Sequence, residues 1–424
     1  MKIAKASLVS PDHNFWYGSF AVAISTFILA YSARFGQVSV LAYYGLWLPL
    51  ILVDYRHSLG NYTRFYWIIA FGVFACLSVF WSAAPGVTAR AGVQYLSHIV
   101  CALIAARTVN VRTMALGMLA GVIFVLLYSL AFGGYHYDPL DGDYSFVGAF
   151  ASKNQLGFFA SLGIYFAFAC IFVLGERGFA RLLALFGGCL SGYALIASQS
   201  ATSIIATAAT LVVMIGLSVT VLFAPRTRKT LFALGIVLVL GLVFVGLNLG
   251  GMAMVLGAFG KDATLTGRTY LWAEGIAAGW ESPVVGAGYY AYWVQGFSEA
   301  ERLWEEFYIG SRSGFHFHNT YIELFVELGF IGLLLAGLVI VRVWLGYLLR
   351  LLHGHDVMRS HLLFGVAFML LVRSFFEVDV MHPYAIGSFL LYYSAGLLAA
   401  SKPARDLAFP AAQPVSHLRV RHAR

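Results

Sequence analysis

The sequence predicts an all-α polytopic membrane protein, with about twelve transmembrane helices and one large periplasmic loop between spans nine and ten. Hydrophobic residues make up 60% of its 424 residues and charged residues 11%, whereas roughly a quarter of a soluble globular chain is charged. The apolar residues form runs of membrane-crossing length. The basic residues lie between those runs, so the net charge of +8 reflects membrane topology and not a nucleic-acid surface.

A helix rising 1.5 Å per residue needs about 20 apolar residues to cross a hydrocarbon core of about 30 Å. Runs near that length are Phe15 to Ala33, Val38 to Val53, Phe65 to Trp81, Gly92 to Ala106, Met114 to Phe132 and Leu156 to Leu174. They continue with Leu182 to Ala197, Ser203 to Phe223, Leu231 to Leu249, Leu328 to Leu349, Leu362 to Phe376 and Ile386 to Ala400. The chain accordingly divides into 1–249 with spans one to nine, 250–327 as a periplasmic loop region, 328–400 with spans ten to twelve, and a cytoplasmic tail, 401–424. The N-terminus lacks a short apolar segment followed by a cleavage site, so its first run is read as retained. Cys76, Cys101, Cys170 and Cys189 lie in apolar runs without metal-ligand spacing and are read as small hydrophobes.

An even number of spans puts both termini on one side. With the termini cytoplasmic, 19 of the 27 Lys and Arg residues fall on that side and 8 on the other. The positive-inside rule therefore places the termini on the cytoplasmic side of the membrane. Five polar clusters then open on the periplasmic face: WSAAPGVTAR with Arg90, YHYDPLDGDYSFVGAFASKNQLG with Lys153 and Asn154, SQSATS from Ser198, the central loop, and Arg373 to Glu377.

The central loop is the longest polar interruption. It runs TGRTYLW from Thr266, PVVGAG from Pro283 and HFHNTYIELFVELGFIG from His316, with glycines suited to bending around a ligand. GRTYLW, PVVGAG and HFHNTYIELFVELGFIG resemble the signature region of the O-antigen ligase and polymerase superfamily. FWSAAPGVTAR, ASKNQLG and SQSATS are similar to its exopolysaccharide-polymerase subgroup. This resemblance implies a helical membrane glycosyltransferase that takes oligosaccharide from an undecaprenyl diphosphate donor to a glycan acceptor. It also implies a periplasmic site without metal or cofactor, no nucleic acid, and contact with membrane lipid and polysaccharide export proteins.

Such transfer needs a cation for the pyrophosphate and a base for the attacking hydroxyl. The planar fork of Arg268 suits phosphate oxygens, and the resemblance assigns the arginine of this motif to the diphosphate. An imidazole can take a hydroxyl proton near neutrality, and the resemblance places the catalytic histidine at His318. Asn319 is read as orienting ring or substrate. Glu323 either orients His318, binds a sugar hydroxyl or serves as a helix N-terminal carboxylate. The His316–His318 pair followed by Glu323 and Glu327 is a weak metal-ligand set, since the two carboxylates share a helix face at different depths and no third histidine is poised beside them.

One position departs from the superfamily pattern: Gln199 stands where ligases and many polymerases carry an arginine. Lys153, Arg90 or Arg373 is expected to supply part of the missing charge. Lys153 is preferred because it opens a helix whose amides also favour phosphate. Arg373 could instead pair with Glu377. Tyr135, Tyr137, Tyr144, Tyr289, Tyr290, Tyr292, Trp293, Trp304 and Tyr308 are read as an interfacial belt or a sugar-stacking surface. EAERLWEE from Glu299 is read as an amphipathic lid helix. The reading is polymerisation of lipid-linked repeats, with ligation onto lipid A-core or protein as the alternative. A transporter or flippase would need an internal repeat and ionisable residues at the membrane midplane, and the charges cluster instead at one face.

Overall fold

A computed structural model describes residues 4–60, 62–138, 142–251, 257 and 267–401. The tail beyond Ser401 and loop residues 252–256 and 258–266 lie outside the described residues. The chain is a helical polytopic membrane protein. Among the described residues, ten helical stretches are long and apolar enough to cross a membrane, and Ile386–Ala400 is a shorter apolar helix.

The first of those stretches, Phe15–Val53, contains both spans predicted there. Its main part, helix α1 (Phe15–Trp47), leaves helical geometry at Tyr31 and at Gly36, whose φ is +63°. A straight helix would separate Tyr17 from Leu46 by about 43 Å. Instead the Tyr17 hydroxyl donates to the Leu46 carbonyl at 2.5 Å, and Trp47 Nε1 donates to Ser25 Oγ at 2.9 Å. The chain therefore turns back at Gly36, a conformation that glycine reaches without a Cβ penalty. With the hairpin counted as two arms and the short last helix added, the described residues hold twelve apolar helical segments, ten stretches of which meet crossing length by themselves.

The remaining helices are α2 (Tyr66–Leu77), α3 (Pro85–Thr108), α4 (Val111–Phe132), α5 (Lys153–Phe168), α6 (Gly178–Ser198), α7 (Ala201–Thr220) and α8 (Pro225–Asn248). After them come α9 (Arg268–Glu281), α10 (Ser298–Glu306), α11 (Thr320–His353), α12 (Val357–Ser374) and α13 (Ile386–Ala400). Short polar side chains start several of them. Asn110 caps α4, Ser152 caps α5 and Ser200 caps α7, each accepting a backbone N–H of the first turn. At the other end of the bundle Arg228 gathers the carbonyls of Leu351, Val221 and Phe223, which two helix ends would otherwise leave unpaired.

One element departs from the all-α expectation. Between α4 and α5, strands β1 (Gly134–Asp138) and β2 (Asp143–Gly148) pair antiparallel. Alternating aromatic and small polar residues give this stretch the two-residue period of a strand.

The PVVGAG segment has a different role from the expected ligand loop. Helix α11 is broken at Gly329 (φ +61°), and the break is repaired from outside the helix. Phe330 and Ile331 donate their N–H groups to the carbonyls of Pro283 and Val284, while Ala287 and Gly288 donate to Val326 and Glu327. Backbone meets backbone so closely that a Cβ on Gly286 or Gly329 would collide with the opposite chain. The WSAAP turn docks on the same segment, through Trp81 Nε1 to Val285 O and Ala83 N–H to Ala287 O, both 3.0 Å. These glycines bend the chain around protein backbone because a broken helix must have its peptide groups satisfied when buried.

Candidate active site

Four of the five polar clusters meet at one end of the bundle, where four helix N-termini converge, while the WSAAP turn docks on PVVGAG instead. Asn154 comes from the start of α5, Ser200 and Thr202 from the start of α7, Arg268 from the first residue of α9, and Asn319 and Thr320 from the start of α11. They surround the segment Phe375 to Asp379 that follows α12. Each helix N-terminus carries partial positive charge, so their convergence favours an anion.

Glu377 is the buried centre. Its Oε1 receives Arg268 Nη2 and Asn154 Nδ2, each at 2.8 Å, and His318 Nδ1 lies 3.3 Å from Oε2. Burial opposes charge on this carboxyl. The fields of His318 and Arg268, with the hydrogen bond to His318, outweigh it and hold Glu377 well below the usual carboxylate range. Arg268 also donates to the Phe376 carbonyl at 2.8 Å and reaches Thr202 Oγ1 at 3.5 Å. Ser200 fixes the Asn154 amide by donating to its Oδ1 at 2.8 Å.

His318 sits in the left-handed region at φ +51°, which costs an L-residue energy and persists only where surrounding contacts hold it. Its N–H donates to His316 Nδ1 at 3.0 Å, with the two rings 4.3 Å apart. An accepting Nδ1 makes His316 a neutral ring with its proton on Nε2. Burial and the neighbouring His318 push the His316 pKa well down, in agreement with that state. His316 thus holds the bend that presents His318.

Glu323 and Asn319 also position the HFHN segment. Glu323 is buried and uses both oxygens inside the protein, accepting Phe317 N–H at 2.8 Å and Trp293 Nε1 at 3.0 Å. Glu323 is an acidic residue of the first turn of α11, and through Phe317 it holds the backbone between the two histidines. Asn319 caps α11 by accepting from Tyr321 and Ile322 N–H, and donates to Phe375 O at 3.0 Å.

The other candidates fall in different places. Arg373 is fully buried and bonds Asp379 through two nitrogens and Ser203 Oγ at 2.8 Å, with Phe158 stacked against it. Its carboxylate partner is Asp379, two residues beyond the Glu377 named from sequence, because Glu377 is turned toward Arg268. Lys153 is half-buried and begins α5 beside Asn154. Arg90 is exposed on the first turns of α3, lining a pocket with Ala84, Pro85, Gly86 and Val87. Gln199 is the exposed left-handed cap of α6, while its neighbours Ser200 and Thr202 reach the cluster.

Most of the central-loop aromatics form neither a belt nor a stacking surface. Tyr289, Tyr292 and Trp304 are buried, and Tyr292, Trp293 and Phe297 pack with Leu271, Leu303 and Phe317 in a small second core. The EAERLWEE helix is observed as α10, and it is a packed element. Its Leu303 lies in that core and its Arg302 is paired with Glu274, Glu299 and Glu306.

Donor atoms of His316, His318 and Glu377 lie within 4.8 Å of one another, a set able to hold a metal ion. It keeps the two histidines of the set considered in the sequence but takes Glu377 as its carboxylate, since Glu323 is engaged elsewhere. Glu377 already receives Arg268 and Asn154, and a guanidinium 3.5 Å from His318 Nδ1 opposes a dication there.

The fold and cluster define a multi-pass membrane protein with a histidine and an arginine gathered around a buried carboxylate at one end of the bundle. Residues 186–337 match the O-antigen ligase family. The chain is 60% identical, over 94% of its own length and 92% of the relative's, to the exopolysaccharide production protein ExoQ of Rhizobium meliloti (strain 1021). The chain belongs to this O-antigen ligase and polymerase superfamily, and its role lies in polysaccharide biosynthesis.

Proposed function

We propose that the protein polymerises undecaprenyl-diphosphate-linked oligosaccharide repeats at the periplasmic face of a bacterial inner membrane. The convergence of Arg268 and four helix N-termini beside His318 carries this reading, because it sets positive potential next to a base. Arg268 and the helix N-termini stabilise the diphosphate as it leaves. Lys153, at the head of α5, adds charge where Gln199 brings none. His318 takes the proton of the attacking sugar hydroxyl, and its other nitrogen faces Glu377, which steadies the imidazolium that forms. The hydroxyl oxygen bonds to the anomeric carbon as the bond to diphosphate breaks, inverting that carbon in one displacement. These residues account for the step without a metal.

The relative's name favours chain production, whereas the O-antigen ligase description of the matched family keeps transfer onto lipid A-core or protein as a second reading. Purified protein given lipid diphosphate oligosaccharide alone is expected to yield a ladder of longer lipid-linked chains. A ligase would yield none without its acceptor, and a flippase none at all. His318→Ala and Arg268→Ala are each expected to lower turnover at least about 10²-fold, and full activity in either variant removes its assigned role.

A further inference from the structure

The β-hairpin before α5 carries an aromatic ladder that the chemistry above leaves unused. Its register pairs Tyr135 with Phe146 and Tyr137 with Tyr144. Directly paired residues share a face of the hairpin, and these rings touch, with centroids 5.3 Å and 5.1 Å apart. Phe146 is buried at 7% exposure and roots the ladder, while Tyr135, Tyr137 and Tyr144 stand 68%, 46% and 66% exposed. Strand β2 packs on α5 and α6, whose ends supply Asn154 and lead into the Ser200 turn. The ladder is thus rooted in the two helices that meet at the catalytic cluster.

We propose that this ladder is a glycan-binding platform that holds the saccharide chain as it extends from the active site. The inference rests on the polymerase reading for its substrate class. Successive rings on one strand face are about 7 Å apart, so each can meet a separate sugar ring through the flat C–H face of a pyranose. The phenolic hydroxyls bond sugar hydroxyls at the ring edge. The composition favours a saccharide over a lipid surface. The two strands carry one aliphatic side chain, Val147, and it is buried, so the exposed face offers hydroxyl-bearing rings and no aliphatic surface for acyl chains.

The test compares three full-length proteins in nanodiscs: wild type, Tyr135→Ala/Tyr137→Ala/Tyr144→Ala, and the corresponding triple Phe variant. The probe is a lipid-free oligosaccharide cut from the polymer the host secretes, with binding read by saturation-transfer NMR and product length by gel. The Ala variant is expected to bind at least tenfold more weakly and to release shorter chains, while still joining the first two repeats. The Phe variant should retain most of the binding, since it keeps the flat rings. Equal binding and equal chain length in wild type and Ala variant would overturn the platform. A His318→Ala protein that binds the probe as wild type does, yet forms no product, supports the platform independently of turnover. If wild type binds the probe but makes no polymer from lipid-linked repeats, the polymerase reading fails and the platform stands.

Discussion

Glu377 is the residue that the site depends on most and that the sequence reading valued least. It appeared as one more charge near the end of a span, with Arg373 as its neighbour. In the fold it is the shared partner of Arg268, Asn154 and His318. Glu377→Gln keeps the size and removes the charge that orients and balances the imidazole. It is expected to lower kcat by about 10²–10⁴-fold with a smaller change in KM. An unchanged kcat would show Glu377 to be structural only.

The buried histidines give a second residue-scale prediction. Burial pushes His382 down to about 4, and His316 is also depressed, against an ordinary value of about 6.5. For a group depressed on folding, the unfolded chain binds more protons between the two values. Stability is therefore complete above about pH 6.5 and is lost as pH falls toward about 4. The thermal midpoint in detergent should be flat above about pH 7 and fall across that window. His382→Gln, which can still bond the Tyr290 hydroxyl now 2.7 Å from the ring, should flatten the slope. An equally steep slope in the variant would discard His382 as a source.

Among the elements, the break in α11 decides where the histidines go. The first turns of α11 carry Asn319, Thr320 and Glu323 toward the site, and the rest of the helix crosses the bundle. Gly329 makes the change of direction and PVVGAG holds it. Gly329→Ala would force a side chain into a left-handed position against Val284, at about 1–3 kcal/mol for the backbone alone. The expected result is a lower thermal midpoint together with reduced turnover, though no atom of Gly329 needs to meet substrate. A fully stable and active variant would mean that the break can be remade without glycine. The motif glycines were legible as bends, but their partner was not, because the backbone they meet lies some forty residues further along the chain.

For the whole molecule, sidedness is the statement to test. The fold puts the β-hairpin, α10 and the cluster at one end of the helices and the Arg228 clasp at the other. Single cysteines placed at Tyr137 and Glu305, both exposed, should react with a membrane-impermeant maleimide added to spheroplasts. A cysteine at the exposed Lys229 should react only after the membrane is opened. The reverse pattern would put the site in the cytoplasm and end the periplasmic reading.

Composition, run length and the distribution of arginine and lysine were enough to determine a multi-span helical protein, since crossing a bilayer imposes rules that act on local sequence. The GRTYLW and HFHN motifs likewise singled out Arg268 and His318. Tertiary structure alone decided which charges pair, because contacts such as Asn154 to Glu377 and Ser203 to Arg373 join segments more than 150 residues apart. It also turned Arg373 toward Asp379 and buried the loop aromatics. Pairing and burial depend on where distant helices end relative to one another, and no local pattern encodes that distance.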